Sequence, residues 1–222
     1  MTIYERALEL IPDGSLVGLG SGRASTALVK LLGARVQQQR ISVRSVPTSE
    51  STAALARQFG IPILTLDEAG SLDVTLDGAD EVDPNLDMIK GYGRALVREK
   101  IVAASSRRLV ILVDETKLVS KLGHKHKLPV EVVPFGMALC QRRLEALGCR
   151  PVLYLVDGRP FLSDNGNYIL DCAVEPINNP KELDCAILEI PGVVGTGLFL
   201  GMAETVLVGD RTNSKLIEER HR

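Results

Sequence analysis

The strongest constraint on the fold is a repeated order in the first half of the chain: an apolar run, a turn, then a segment of helical periodicity. SLVGLG (15–20) reads as a buried strand ending in glycine. ASTALVKLLGA (24–34) follows with Ala27, Leu28, Leu31 and Leu32 on helical spacing. ISVRSVP (41–47) alternates as a strand does. TSESTAALARQFG (48–60) opens on capping hydroxyls and closes on glycine, the marks of a capped helix. IPILTL (61–66) and SLDVTLDG (71–78) are expected strands, GRALVREKIVAAS (93–105) a helix and RLVILVDE (108–115) a buried strand. This alternation implies an α/β fold with a doubly wound, mostly parallel, Rossmann-like sheet. In such sheets ligands bind outside the carboxyl ends of the strands.

After about residue 122 the order changes. VEVVPF is a strand and MALCQRRLEALG a helix. RPVLYLV and NYILDCAV are strands joined by a turn that includes Asp164-Asn165-Gly166-Asn167, where Asn-Gly is a hairpin signal. NPKELDCAILEI is a helix, and PGVVGTGLF ends in a strand. That βαββαβ order is the split pattern of a ferredoxin-like α+β domain. ETVLVGD (204–210) reads as a strand able to return to the first sheet. The expected division is a Rossmann-like catalytic domain over 1–122 and 200–222, and a smaller ferredoxin-like domain over 123–199.

Composition narrows the function classes. A net charge of −2 leaves no basic footprint for nucleic acid or an anionic membrane. No apolar run approaches the roughly 18–20 residues that span a bilayer. MTIYERALELIPDG mixes charges at helical spacing and lacks the apolar core of a signal peptide, so a cytoplasmic protein is expected. Cys140, Cys149, Cys172 and Cys185 form no CxxC pair, which argues against a zinc site or a disulfide framework. His124 and His126 lie in a basic GHKHK loop with no third ligand nearby.

Two segments carry chemistry. GLGSGRAST (18–26) ends a strand and opens a helix, so backbone N–H groups and the helix dipole can hold an anion. Ser21, Ser25 and Thr26 add hydroxyls and Arg23 a guanidinium fork. A dinucleotide fingerprint fits poorly: Arg23 takes the third glycine position, and Pro47-Thr48 stand where a ribose-binding acid belongs. A methyltransferase-like loop would carry an acid where Leu16-Val17 stand. A phosphate cradle is the better reading. The other segment, DGADEVDP (77–84), crowds four acids at a strand end and runs on to KGYGRALVREK (90–100). Neither register of an EF-hand loop works, since Met88 takes the glycine position in one and the glutamate position in the other. No metal is expected. At about 100° per residue Glu99 projects among Ala95, Leu96, Val102 and Ala103. Desolvation on that stripe would raise its pKa, as a general base near neutral pH requires. Cradle, carboxylates, lysine and buried glutamate together can move a proton beside the carbonyl of a phosphorylated metabolite.

DGADE followed by KG-x-G-x-AL-x-REK resembles ribose-5-phosphate isomerase of the A type. VDETK (113–117), LPVEVVP (128–134), SDNGN (163–167) and IPGVVGTGLF (190–199) extend the resemblance over nearly the whole chain. It implies a cofactor-independent aldose–ketose isomerase acting on a phosphorylated pentose, active as a homo-oligomer, a dimer or tetramer. It further implies catalytic roles for Glu99 (proton shuttle), Asp77 (ring opening), Lys90 (oxyanion) and Asp80 (sugar hydroxyls and Lys90). Substrate binding would fall to Gly20, Ser21, Gly22, Arg23 and Ala24, to Gly78 and Ala79, to Gly91, Tyr92 and Gly93, and to Lys117. The chain departs from the family pattern in two places. Gly20-Ser21-Gly22-Arg23-Ala24 replaces G-T-G-S-T, and Tyr92 and Arg94 replace a glycine and an alanine of K-G-G-G-A-A. Arg23 is expected to compensate for lost phosphate hydrogen bonds, and Tyr92 to close over the sugar or alter the pentose preferred.

Overall fold

The computed structural model describes residues 1–212 and 214–222. In chain order its elements begin α1 (Ile3–Glu9), β1 (Leu16–Leu19), α2 (Arg23–Gln37), β2 (Arg44–Pro47), α3 (Glu50–Gln58), α4 (Leu66–Ala69) and β3 (Val74–Gly78). There follow β4 (Glu81–Val82), β5 (Met88–Ile89), α5 (Leu96–Ala104), β6 (Leu109–Asp114), β7 (Leu128–Val132), α6 (Met137–Ala146) and β8 (Arg150–Leu153). The chain closes with β9 (Leu155–Val156), β10 (Arg159–Pro160), β11 (Tyr168–Ala173), α7 (Pro180–Leu188), β12 (Val193–Thr196), β13 (Leu198–Phe199), β14 (Thr205–Gly209) and β15 (Leu216–His221). It divides into two compact units: Met1–Ala79 with Arg98–Lys117 and Met202–Arg222, and Asp80–Val97 with Leu118–Gly201.

The first unit is built on a six-stranded sheet ordered β15-β14-β6-β3-β1-β2. All neighbours are parallel except β15, which runs antiparallel to β14. The central strands are buried on both faces and read as unbroken apolar runs, which is why LVGL and LVILV stand out in the sequence. Helix α2 buries Leu28, Val29 and Leu32 against Val17, Leu19, Leu76 and Val110. The chain leaves β1 for β2 on one side and reaches β3 on the other, so β1 marks the point where the winding reverses.

ETVLVGD does return to this sheet, as β14 beside β6. Two expectations need correction. Residues 61–66 form no strand: Ile63 makes one isolated bridge to Ser45. Pro62 has no N–H to give a ladder, and Thr65 starts α4 through a capping box with Glu68. Helix α5 begins at Leu96 rather than at residue 93, because Gly91 and Arg94 both have positive φ and form a turn first. The terminal strand β15 was not anticipated, because its LIEERH pattern lies on a half-exposed edge.

The second unit carries a four-stranded antiparallel sheet ordered β12-β7-β11-β8. With α6 and α7 this is the ferredoxin-like order. Its core gathers Leu128, Val130, Val132, Cys140, Leu144, Leu170, Cys172 and Ile187. Glu131, fully buried on β7, has an Oε1 that accepts from the Ser163 hydroxyl (2.9 Å) and from the Asn165 and Asn167 amides (3.1 and 2.9 Å). The SDNGN motif therefore holds a buried carboxylate. The Asn-Gly signal makes a local turn, with the Gly166 N–H on Ser163 O at 2.8 Å. The tight two-residue hairpin is instead Asp157-Gly158, at φ +50° and +74°, joining β9 to β10. PGVVGTGLF divides at Gly197 into β12 and β13, and β13 joins β5 and β4 in a three-stranded sheet. Among the described residues no helix is long and apolar enough to cross a membrane.

Candidate active site

In the first unit the glycine turn after β1 is fastened to Asp77 at the end of β3. Asp77 is 2% exposed, and its Oδ1 accepts from the Ser21 N–H (3.1 Å), the Ser25 hydroxyl (3.1 Å) and the Gly78 N–H (2.8 Å). Gly20 is required here, since a Cβ on it would lie 2.1 Å from that same oxygen. Its N–H continues the strand pairing to Leu76 O at 2.9 Å. Gly22, at φ +95°, precedes the first residue of α2, so the helix N-terminus opens directly from the turn. Arg23 is exposed there and Ala24 half-buried. This is the geometry of an anion cradle: a helix N-terminus, a glycine turn and hydroxyls at the strand ends.

The cradle has a floor that sequence reasoning missed. Ser21 Oγ lies 2.8 Å from the hydroxyls of both Thr48 and Ser49, and Thr52 Oγ1 donates to Gly20 O at 3.0 Å. Thr48, Ser49 and Thr52 are all buried. In the sequence, TSEST reads only as a helix cap, which Ser49 does form by accepting from the Thr52 N–H. Pairing of β1 with β2 brings these hydroxyls beside the turn.

The same unit contains Glu99 and Lys117. Glu99 on α5 is 2% exposed, as its place on the apolar stripe predicted. One helical turn on, Val102 packs with Val46 and Leu72. Lys117 is half-buried at the end of a 3-10 turn (Glu115–Lys117) that follows β6 at the carboxyl edge of the sheet.

The second unit holds the remaining acids and the lysine. Lys90 is 2% exposed at the end of β5; its N–H donates to Gly197 O at 2.9 Å and its Nζ lies 5.3 Å from the Phe199 ring centroid. Asp80 donates its N–H to Ile89 O (2.8 Å) and accepts the Tyr92 N–H on Oδ2 (3.1 Å). It therefore ties the start of β4 to the turn after Lys90. Gly91, at φ +111°, lets that turn leave β5.

The other two acids of DGADEVDP are structural. Glu81 is fully buried and accepts the backbone N–H groups of Gly123, Lys125 and His126 at 2.6–2.7 Å. GHKHK is thus wrapped around a carboxylate. Asp83 Oδ1 accepts the Asn85 and Asp87 N–H groups and closes a turn, and burial pushes its pKa up. Among the described residues no group of three or more His, Cys, Asp or Glu is placed to hold a metal ion.

Known proteins resemble this chain in both sequence and fold. The family model for ribose 5-phosphate isomerase A (phosphoriboisomerase A) matches residues 44–213. The chain is 52% identical to ribose-5-phosphate isomerase A of Roseiflexus castenholzii over 92% of its length and 88% of the relative's. It is 51% identical to that of Gloeobacter violaceus, over 94% and 91%. The structure of ribose 5-phosphate isomerase A from Methanocaldococcus jannaschii superposes at TM-score 0.93 with 38% identity, covering 100% of this chain and 97% of that one. A D-ribose-5-phosphate isomerase in complex with phospho-erythronic acid superposes at 0.94 with 37% identity, covering 99% and 96%. With half its residues shared with these relatives over nearly all of its length, the chain belongs to the ribose 5-phosphate isomerase A family.

Proposed function

We propose that this chain interconverts D-ribose 5-phosphate and D-ribulose 5-phosphate. The single observation that carries the chemistry is Glu99, a carboxylate with 2% exposure on a helix otherwise packed through apolar residues. Family membership supplies the substrate. Glu99 removes the C2 proton of the open-chain aldose, giving an enediolate, and delivers a proton to C1 to give the ketose. Negative charge develops on the substrate oxygen during transfer. Lys90 and the N–H groups of Gly91 and Gly93 stabilise it. Asp77, held rigidly by its three hydrogen bonds, assists ring opening. Asp80 orients sugar hydroxyls and Lys90.

Phosphate and nearby sugar oxygens are assigned to the cradle, through Gly20, Ser21, Gly22, Arg23 and Ala24, with Lys117. The backbone of Gly78 and Ala79 borders the sugar. No step calls on a cofactor. Assembly as a homodimer or tetramer in the cytoplasm belongs to the same proposal.

The test is conversion of ribose 5-phosphate to ketose with EDTA present, beside a Glu99→Gln control. Wild-type turnover should persist, and the control should lose roughly 10⁴-fold in kcat with KM changed far less, because the base is removed and the cradle is not. Near-normal turnover in the control would reject Glu99 as the base. No ketose from the wild type would leave a sugar-phosphate-binding regulator instead.

A further inference from the structure

The Lys90–Arg94 turn is held in the second unit by residues far away in sequence. Arg94 adopts a left-handed backbone conformation at φ +62°. Glycine takes that conformation freely, whereas a residue with a side chain keeps it only where its surroundings impose it. Here the imposing group is Asp171. Arg94 Nη1 donates to Asp171 Oδ1 at 2.5 Å and Nη2 to Oδ2 at 3.1 Å, a bidentate fork. Asp171 sits on β11, a strand paired on both sides. The guanidinium carbon lies 3.7 Å from the Tyr154 ring centroid and 5.3 Å from that of Tyr92. The far end of the turn is thereby clamped to the middle of a sheet.

The clamp governs which donors the turn can present. The Lys90 N–H is committed to Gly197 O, the Tyr92 N–H to Asp80 Oδ2 and the Arg94 N–H to Gly91 O at 2.9 Å. Among the described residues, Gly91 and Gly93 are the turn's N–H groups with no protein acceptor. Their direction depends on the dihedral angles of Gly91 and Gly93, which the fork at Arg94 helps to fix at the far end of the turn.

We propose that Arg94 and Asp171 are a positioning pair for the isomerisation: their fork fixes the Gly91 and Gly93 N–H groups, and Lys90 before them, in the orientation that receives the enediolate oxygens. This rests on the isomerase reading. Neither residue needs to touch substrate. The two side chains are only 12% and 13% exposed, so removing one partner also lowers the melting temperature. Kinetics are therefore read well below the melting transition, where the folded variants show the loss in the transition state.

Arg94→Ala and Asp171→Asn are compared with wild type for kcat and KM on ribose 5-phosphate. Inhibition by phospho-erythronic acid and by inorganic phosphate is measured alongside thermal melting. Phospho-erythronic acid carries carboxylate oxygens beside a hydroxyl-bearing carbon and so resembles the enediolate; phosphate probes the cradle alone. Each variant should lose roughly 10- to 100-fold in kcat with KM within about threefold, the scale of a misplaced catalytic group. Phospho-erythronic acid should weaken by a similar factor and phosphate should not. The double variant should be no slower than the worse single, and Arg94→Lys, which lacks the fork, should rescue only part of the rate. The proposal fails if folded variants keep kcat within about threefold of wild type. It fails equally if both inhibitors weaken together, if the two losses multiply, or if neither variant folds. A wild type that turns over no ribose 5-phosphate removes the function and this inference together. A working wild type with equally fast variants removes this inference alone.

Discussion

Two turns in this molecule do comparable work and are built in opposite ways. The Gly20–Ala24 turn of the first unit is held by backbone and short side chains: a strand end, a helix start and one carboxylate, Asp77. The Lys90–Arg94 turn of the second unit is held by long side chains that reach to a distant strand. At Gly20 the first tolerates no added volume, because a Cβ there would lie 2.1 Å from Asp77 Oδ1. The second tolerates bulk, including an arginine and a tyrosine, because the added atoms are the fastening. Substitutions should therefore fail abruptly in the first turn and by degrees in the second.

The largest effect should come from Gly20→Ala. The new methyl would meet Asp77 Oδ1 at 2.1 Å and Cγ at 2.2 Å, so the carboxylate or the turn must shift. Either movement breaks the bonds to Ser21 and Ser25. We expect a fall of about 10³-fold in kcat/KM, together with weaker inhibition by inorganic phosphate. A variant with wild-type phosphate affinity would show that the turn yields without cost, and the contrast with the second turn would be lost.

Asp77→Asn gives a smaller effect and separates anchoring from chemistry. The amide oxygen can still accept from Ser21, Ser25 and Gly78, so the turn should persist and the melting temperature should move little. If Asp77 also assists ring opening, kcat should drop about 10²-fold while KM holds. An Asn variant as fast as wild type would make Asp77 an anchor alone.

The same contrast explains what could be read from the sequence. In the first turn the apolar strand, glycines and helix start follow one another along the chain, and the anchoring acid, 56 residues on, ends another apolar strand, so each leaves a residue-type signal. Even there the Thr48, Ser49 and Thr52 floor was hidden, because a hydroxyl that caps a helix looks the same as one that faces a ligand turn. The ferredoxin-like order was legible from the succession of elements. By contrast, the partner of Arg94 lies 77 residues away, and no periodicity links the two. Glu81 was undecidable for the same reason. Its three donors are backbone N–H groups of a loop more than 40 residues on, and backbone groups carry no residue-type signal. The small sheet of β4, β5 and β13 needs pairing between residues 88–89 and 198–199, whose register appears only once the second unit is folded.

The smallest effect tests how gradual the second turn is. The Tyr92 hydroxyl accepts the Lys127 N–H at 2.9 Å, and its ring meets His126 edge-on at 5.3 Å. Tyr92→Phe keeps the ring contact and removes only that acceptor. Lys127 is exposed, so water can take its place. We expect kcat and KM within about threefold of wild type. Burial raises the phenol's pKa above its usual 10.0, so the hydroxyl is neutral throughout the working range. The two pH–rate profiles should then superimpose up to about pH 9. A large rise in KM would instead mean that the hydroxyl binds the sugar directly, and Tyr92 would join the substrate-binding residues by contact. A large loss in kcat alone would mean that the turn depends on every tie it has. The second turn would then be as brittle as the first, and the difference between backbone and side-chain fastening would carry no mechanical consequence.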